Sequence, residues 1–243
     1  MKKLMIKITI GLLICLSTSI SHAYTFNDVI GDRIGNIIFE IYGMNVTQTD
    51  SSIIFDIFTN YRDPFTVGGW TTLPADFAID VGGDSKYEYG VAFRDHTAMD
   101  NTSIKKGDLY LIDTTLNETK HKTNGWYITD HYEPVGGGYG YWHDKPVGIA
   151  GGTDIGDVSV TWYDPIGTDP NYRINFTLDK NDFLPPNYNG SVNFFTASAT
   201  CANDYMDGMI VGVTNVIPEP ASMLLFGIGA LGFGVIRRKR KGE

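Results

Sequence analysis

Apolar and polar positions alternate with period two through most of the chain. Ile53, Phe55 and Ile57 share one face of an extended segment, as do Phe77, Ile79 and Val81. The same spacing recurs in Tyr87, Tyr89, Val91 and Phe93, in Val158, Val160 and Trp162, and in Ile174, Phe176 and Leu178. Gly, Asp, Asn or Pro bounds each run, so each predicts a half-buried strand. Shorter candidates are 36–42, 108–113, 125–129, 191–197 and 209–214. No long, capped helical stripe occurs in this middle region, and 178–184 predicts one short helix or turn. About ten strands in roughly 195 residues predict an all-β fold, an antiparallel β-sandwich or jelly roll. Gly82-Gly83 reads as the tight turn of a hairpin joining two of these strands. Abundant Gly (28), Tyr (14) and Phe (13) fit that class, glycine for turns and aromatics for pleated surfaces.

The two ends break the pattern. Residues 1–23 read as an export leader: Lys2 and Lys3, an apolar run over 4–16 broken by Lys7, then small residues. Ser21 and Ala23 stand at the positions that suit cleavage between Ala23 and Tyr24. Cys15 leaves with the leader, and Ile14 before it lacks the small side chain a lipid-anchor site needs. At the other end, Pro218-Glu219-Pro220 precedes sixteen uncharged residues, 221–236, and then Arg237, Arg238, Lys239, Arg240 and Lys241. That run predicts a transmembrane helix somewhat short of the about 20 residues of a comfortable span. The basic cluster acts as a membrane stop and keeps to the cytoplasmic side, leaving the preceding domain outside. Gly227, Gly229, Gly232 and Gly234 weaken the helix as a permanent anchor. The organisation expected is a signal peptide (1–23), a β-sandwich ectodomain (24–215) and a terminal sorting segment (216–243).

Charge separates along the same boundaries. Residues 24–217 hold 11 basic and 26 acidic side chains, a net −15. Such a surface repels phosphate backbones, which excludes nucleic acid as a partner. Cys201 is the one cysteine left after the leader, so the ectodomain has no internal disulfide and no zinc-site spacing.

A Pro-Glu-Pro triplet, a short apolar helix and an Arg/Lys tail, in that order, closely resemble the PEP-CTERM sorting signal. The resemblance implies recognition by exosortase, an integral-membrane cysteine transpeptidase that cuts near the triplet. It also implies transfer of the protein to the cell surface or the exopolysaccharide matrix after transient membrane anchoring. Residues 73–93 resemble a hairpin of PEP-CTERM ectodomains, and Thr200 to Asp204 with Gly208 are similar to their last strand. Their general look is that of carbohydrate-binding or DOMON-like sandwiches, which implies a fold and not a ligand.

Candidate chemistry lies in two places. Asp76, Asp80, Asp84 and Glu88 surround the Gly82-Gly83 turn, and a hairpin of this kind can offer Asp80, Asp84 and Glu88 to Ca²⁺. Aspartates are also ordinary turn residues, and alternation predicts Asp76, Asp80 and Asp84 on a solvent face. Asn203, Asp204 and Asp207 form a second acidic turn with the same two readings. Tyr139, Tyr141 and Trp142, in the glycine-rich stretch 134–143, could offer flat faces to sugar rings or fold over the sandwich edge. His96, His121, His131 and His143 fall in no metalloprotease or hydrolase setting, so no catalytic residue is assigned. The expectation is an envelope or matrix protein with an adhesive or polysaccharide-associated module. The alternative is a secreted glycan-acting enzyme, which would need two facing carboxylates in a cleft.

Overall fold

The computed structural model describes residues 21–32, 36–62, 64–67, 70–98, 103–115, 122–123, 125–128, 145–165, 171–200, 202 and 204–215. Its strands begin with β1 (His22–Asn27), β2 (Ile41–Gln48), β3 (Ser52–Thr59), β4 (Phe65–Val67), β5 (Trp70–Thr72) and β6 (Phe77–Asp80). Next come β7 (Tyr89–Val91), β8 (His96–Thr97), β9 (Ser103–Ile104), β10 (Asp108–Ile112), β11 (Lys122–Thr123) and β12 (Trp126–Ile128). The last six are β13 (Pro146–Ile149), β14 (Gly152–Asp157), β15 (Thr161–Tyr163), β16 (Tyr172–Asp179), β17 (Asn189–Ala197) and β18 (Tyr205–Thr214). A single-turn helix, α1 (Lys180–Phe183), is capped by the Asp179 side chain. Among the described residues strand makes up 56% and helix 5%, so the class is all-β. No helix among the described residues is long and apolar enough to cross a membrane.

Two open antiparallel sheets carry the fold, ordered β1-β2-β3-β16-β15 and β14-β10-β7-β6-β17-β18. In the first, β3 and β16 pair Ile53 with Leu178, Phe55 with Phe176 and Ile57 with Ile174. The alternating runs thus line up across the ladder and present one continuous apolar face. The second sheet presents Phe77, Ile79, Val91, Val192 and Phe194 to it, and both sets are buried in one cluster. Ring centroids lie 4.9 Å apart for Phe55 and Phe176, stacked, and 4.9 Å apart for Phe55 and Phe77, edge to face. Truncating a buried phenylalanine in such a core costs about 3–5 kcal/mol.

The far face of the six-stranded sheet is covered over its central strands as well. Trp126 and Ile149, from the three-stranded sheet β11-β12-β13, pack with Ala78, Tyr110 and Phe195 in a second buried cluster. Gly90 makes this approach possible, because a Cβ there would stand 2.7 Å from the Trp126 ring. Every residue of β6 is therefore buried. This corrects the solvent-face reading of Asp76 and Asp80, whose exposures are 0% and 1%.

Other expectations shift for local reasons. The described residues hold 18 strands rather than about ten, many of only two or three residues. Gly82-Gly83 is not a two-residue turn: β6 pairs with β7 in the register Phe77–Val91, and residues 81–88 form the loop between them. In the stretch 36–42 a 3-10 turn at Ile37–Phe39, capped by the Asn36 side chain, precedes β2. Val158 and Val160 reach the core without belonging to a strand.

Candidate functional site

The loop 81–88 draws its acidic residues inward. Asp80, at the end of β6, accepts from the backbone N–H of Gly83 (2.5 Å) and Ser85 (2.9 Å) and from the Asn193 amide (3.1 Å). Glu88 accepts from the N–H of Val81 at 2.9 Å, and Asp84 receives the Lys86 ammonium at 2.7 Å. That hydrogen bond from Lys86 holds the Asp84 carboxyl below the usual carboxylate range. Gly83 takes φ +71°, the left-handed region that glycine enters freely. Asp80, Asp84 and Glu88 each offer an oxygen, and the three oxygens lie within 4.8 Å of one another. The structure thus brings the predicted trio together, with three oxygens of the six to eight that calcium takes. Their local partners already account for the arrangement as a pinned loop. Asp76 stands apart from it: buried, it accepts from the N–H of Phe93 (3.1 Å) and Ile149 (2.9 Å) and pairs with His96 Nε2 (2.8 Å).

A second acidic corner forms where β1 ends beside the start of β18. Asp28, Asp32 and Asp204 bring one oxygen each within 4.8 Å of the others. Asp204 is buried, and its two oxygens accept from the N–H of Ile41 (2.6 Å) and Tyr205 (2.9 Å). Burial pushes its carboxyl up to about 8, with the charges of Asp28, Asp32 and Glu40 adding to the rise and the Ile41 bond opposing it. Burial likewise raises Asp28 to about 6. The sequence marks Asp204 as acidic, but its partners Asp28 and Asp32 come from the opposite end of the chain, and no spacing rule links them.

A groove of about 430 Å³ opens beside β15, and no motif announces it. Its walls include Phe93 and Trp162, and its cations are Arg62, Arg94 and Lys106. Phe93 and Trp162 meet edge to face at 6.3 Å. The Arg94 Nε donates to the carbonyl of Pro74 at 2.8 Å, which fixes the guanidinium in place. Arg62 pairs with Asp164 and lies over the Tyr172 ring. The backbone N–H of Lys106 donates to Asp95 at 2.8 Å.

Of the residues predicted at the leader junction, Ala23 and Tyr24 both lie in β1, opposite Thr47 and Val46. Tyr24 to Asn27 are held in the strand by the Tyr24 hydroxyl on the Val211 carbonyl (2.9 Å) and by Phe26 against Phe194. Tyr139, Tyr141, Trp142, the triplet Pro218-Glu219-Pro220, the basic cluster 237–241 and the predicted membrane helix lie outside the described residues.

Comparison with protein families decides the nature of the tail: residues 216–241 match the model of the PEP-CTERM protein-sorting motif. This chain carries a PEP-CTERM motif. It is accordingly an exported protein, sorted to the cell surface by an exosortase-type system. No curated protein and no solved structure matches the chain. The PEP-CTERM motif starts at the residue after Asn215, which ends the described fold. Asn215 is buried, exchanges backbone hydrogen bonds with Tyr188 and Asn187 at 3.0 Å each, and donates its side-chain amide to Leu184 at 3.1 Å. The fold therefore stays fastened up to the edge of the motif.

Proposed function

We propose that the chain is a cell-envelope or extracellular-matrix protein whose ectodomain is a sandwich-like, polysaccharide-associated or adhesive module. An exosortase-type transpeptidase would cut near Pro218-Glu219-Pro220 and release the ectodomain from a transient membrane anchor. The observation that carries the reading is the sorting motif at 216–241, set directly behind the β domain. Two facing sheets with a shared aromatic core support the sandwich description. A groove with cations and aromatic walls supports a binding role rather than a purely structural one.

The rival reading, a secreted glycan-acting enzyme, would draw on Asp204 as an acid, since its carboxyl is raised to about 8. Against it, Asp204 is 2% exposed and both its oxygens serve backbone N–H groups, which favours a structural role.

Replacing Pro218, Glu219 and Pro220 with alanine tests the sorting step. The expected product is a full-length, membrane-held species. Normal trimming and release of that variant would overturn the reading.

A further inference from the structure

We propose that the groove beside β15 binds an acidic sugar residue, with a ring face on Trp162 and the carboxylate between Arg94 and Lys106. The proposal rests on the polysaccharide-associated reading above and names the ligand class and the residues. Charge is the first ground. The domain is strongly acidic, with 11 basic against 26 acidic residues over 24–217, yet three of those cations border this one groove with Asp95 as the acidic member. Elsewhere the surface field repels anions, so a groove of opposite sign selects where an anionic chain docks.

Hydrogen-bonding capacity is the second ground. Arg94 uses its Nε on Pro74, and its terminal nitrogens have no protein acceptor among the described residues. The Lys106 side chain is exposed, and among the described residues its ammonium has no acceptor either. With its Nε held by Pro74 and one terminal nitrogen lying beside Gly148, the Arg94 guanidinium keeps a terminal nitrogen for a carboxylate oxygen. Arg62, by contrast, is committed to Asp164 and Tyr172 and shapes the wall.

The third ground is the aromatic surface. Trp162 is half-buried in the short edge strand β15, braced by Phe93, and its indole N–H has no acceptor among the described residues. It thus combines an apolar face with an open donor, as ligand-binding tryptophans do. The volume of about 430 Å³ suits a single sugar ring with part of its neighbour.

The test uses the exported protein, purified from its host envelope, in EDTA so that no calcium bridges carboxylates. An oligogalacturonate is titrated against its methyl ester, which keeps the ring and hides the charge, with dextran sulfate as a third probe. The oligogalacturonate should bind saturably and change tryptophan fluorescence, and the ester should bind about tenfold more weakly, the value of one charge-assisted hydrogen bond. K106Q, an exposed substitution that leaves the core untouched, and R94Q should each lower affinity, and W162A should abolish the fluorescence change. Equal binding of acid and ester, preference for dextran sulfate, or unchanged affinity in K106Q overturns the assignment. If the groove variants bind polysaccharide as well as the parent does, only this assignment falls. If the parent binds no polysaccharide at all, the broader reading falls with it.

Discussion

The ammonium of Lys180 donates to the backbone carbonyl of Thr214 at 3.1 Å, two residues before the sorting motif begins. The same nitrogen donates to the carbonyls of Thr49 at 2.5 Å and Asp50 at 3.4 Å, so one buried cation ties the β2–β3 turn to the end of β18. Burial lowers the Lys180 pKa, and the carbonyls, with the nearby charge of Asp50, are what it has to offset desolvation. Lys180→Ala should leave three carbonyls without their donor and loosen the end of β18, at a cost of about 2–4 kcal/mol. Limited proteolysis should then cut near 214–216 faster in the variant than in the parent. Equal rates would show that the clamp does not hold the junction.

Asp76 should be the least replaceable acidic residue of the domain. It is fully buried and joins β7's end, β13 and His96 through three hydrogen bonds. Asp76→Ala leaves two backbone donors and an imidazole without an acceptor, and is expected to cost about 3–5 kcal/mol. Chemical denaturation checks this. A loss below about 1 kcal/mol would mean that the loop rearranges to satisfy those donors by itself.

The Asp76 result also marks where the sequence stops being legible. Ile53, Phe55, Ile57, Ile174, Phe176 and Leu178 could be placed in the core because one sheet face is buried and the other is not. At β6 that premise fails, since β13 and Trp126 cover the second face, and alternation then says nothing about Asp76 or Asp80. The β12–β13 layer was only half visible. Residues 125–129 read as a strand, but Pro146, Gly148 and the glycines after them gave β13 and β14 no alternating signal. The tail was legible because its signal is sequential, three elements in fixed order. The groove was not, since Arg62, Phe93, Lys106 and Trp162 are gathered by topology from four loops and strands.

Stability should fall as pH rises from about 4 to about 8. The Asp204 carboxyl stands at about 8 in the fold, against about 3.9 in an unfolded chain. Across that interval the folded state holds a proton that the unfolded state has released. The contribution is complete below the unfolded value and is lost as pH rises through the folded one. Asp28, raised to about 6, acts in the same sense over a narrower interval. Each kcal/mol lost lowers Tm by about 2–4 °C in a domain of this size. Thermal melts of Asp204→Asn should show a flatter profile above about pH 6. A parent Tm that is constant or rising through this range contradicts the assignment.

Asp80 is expected to act as the pin of the loop 81–88. Asp80→Ala removes the acceptor of Gly83, Ser85 and Asn193 and should cost about 2–4 kcal/mol, in calcium or in EDTA alike. A parent Tm that climbs in millimolar calcium, with the climb lost in Glu88→Gln, would instead make Asp80, Asp84 and Glu88 a cation site.

Mass spectrometry of the protein isolated from its host addresses the sorting account most directly. The account predicts a surface or matrix species that begins at Tyr24 and has lost the segment beyond the Pro218-Glu219-Pro220 region. A cytosolic species that still ends in Arg237-Arg238-Lys239-Arg240-Lys241-Gly242-Glu243 would contradict it.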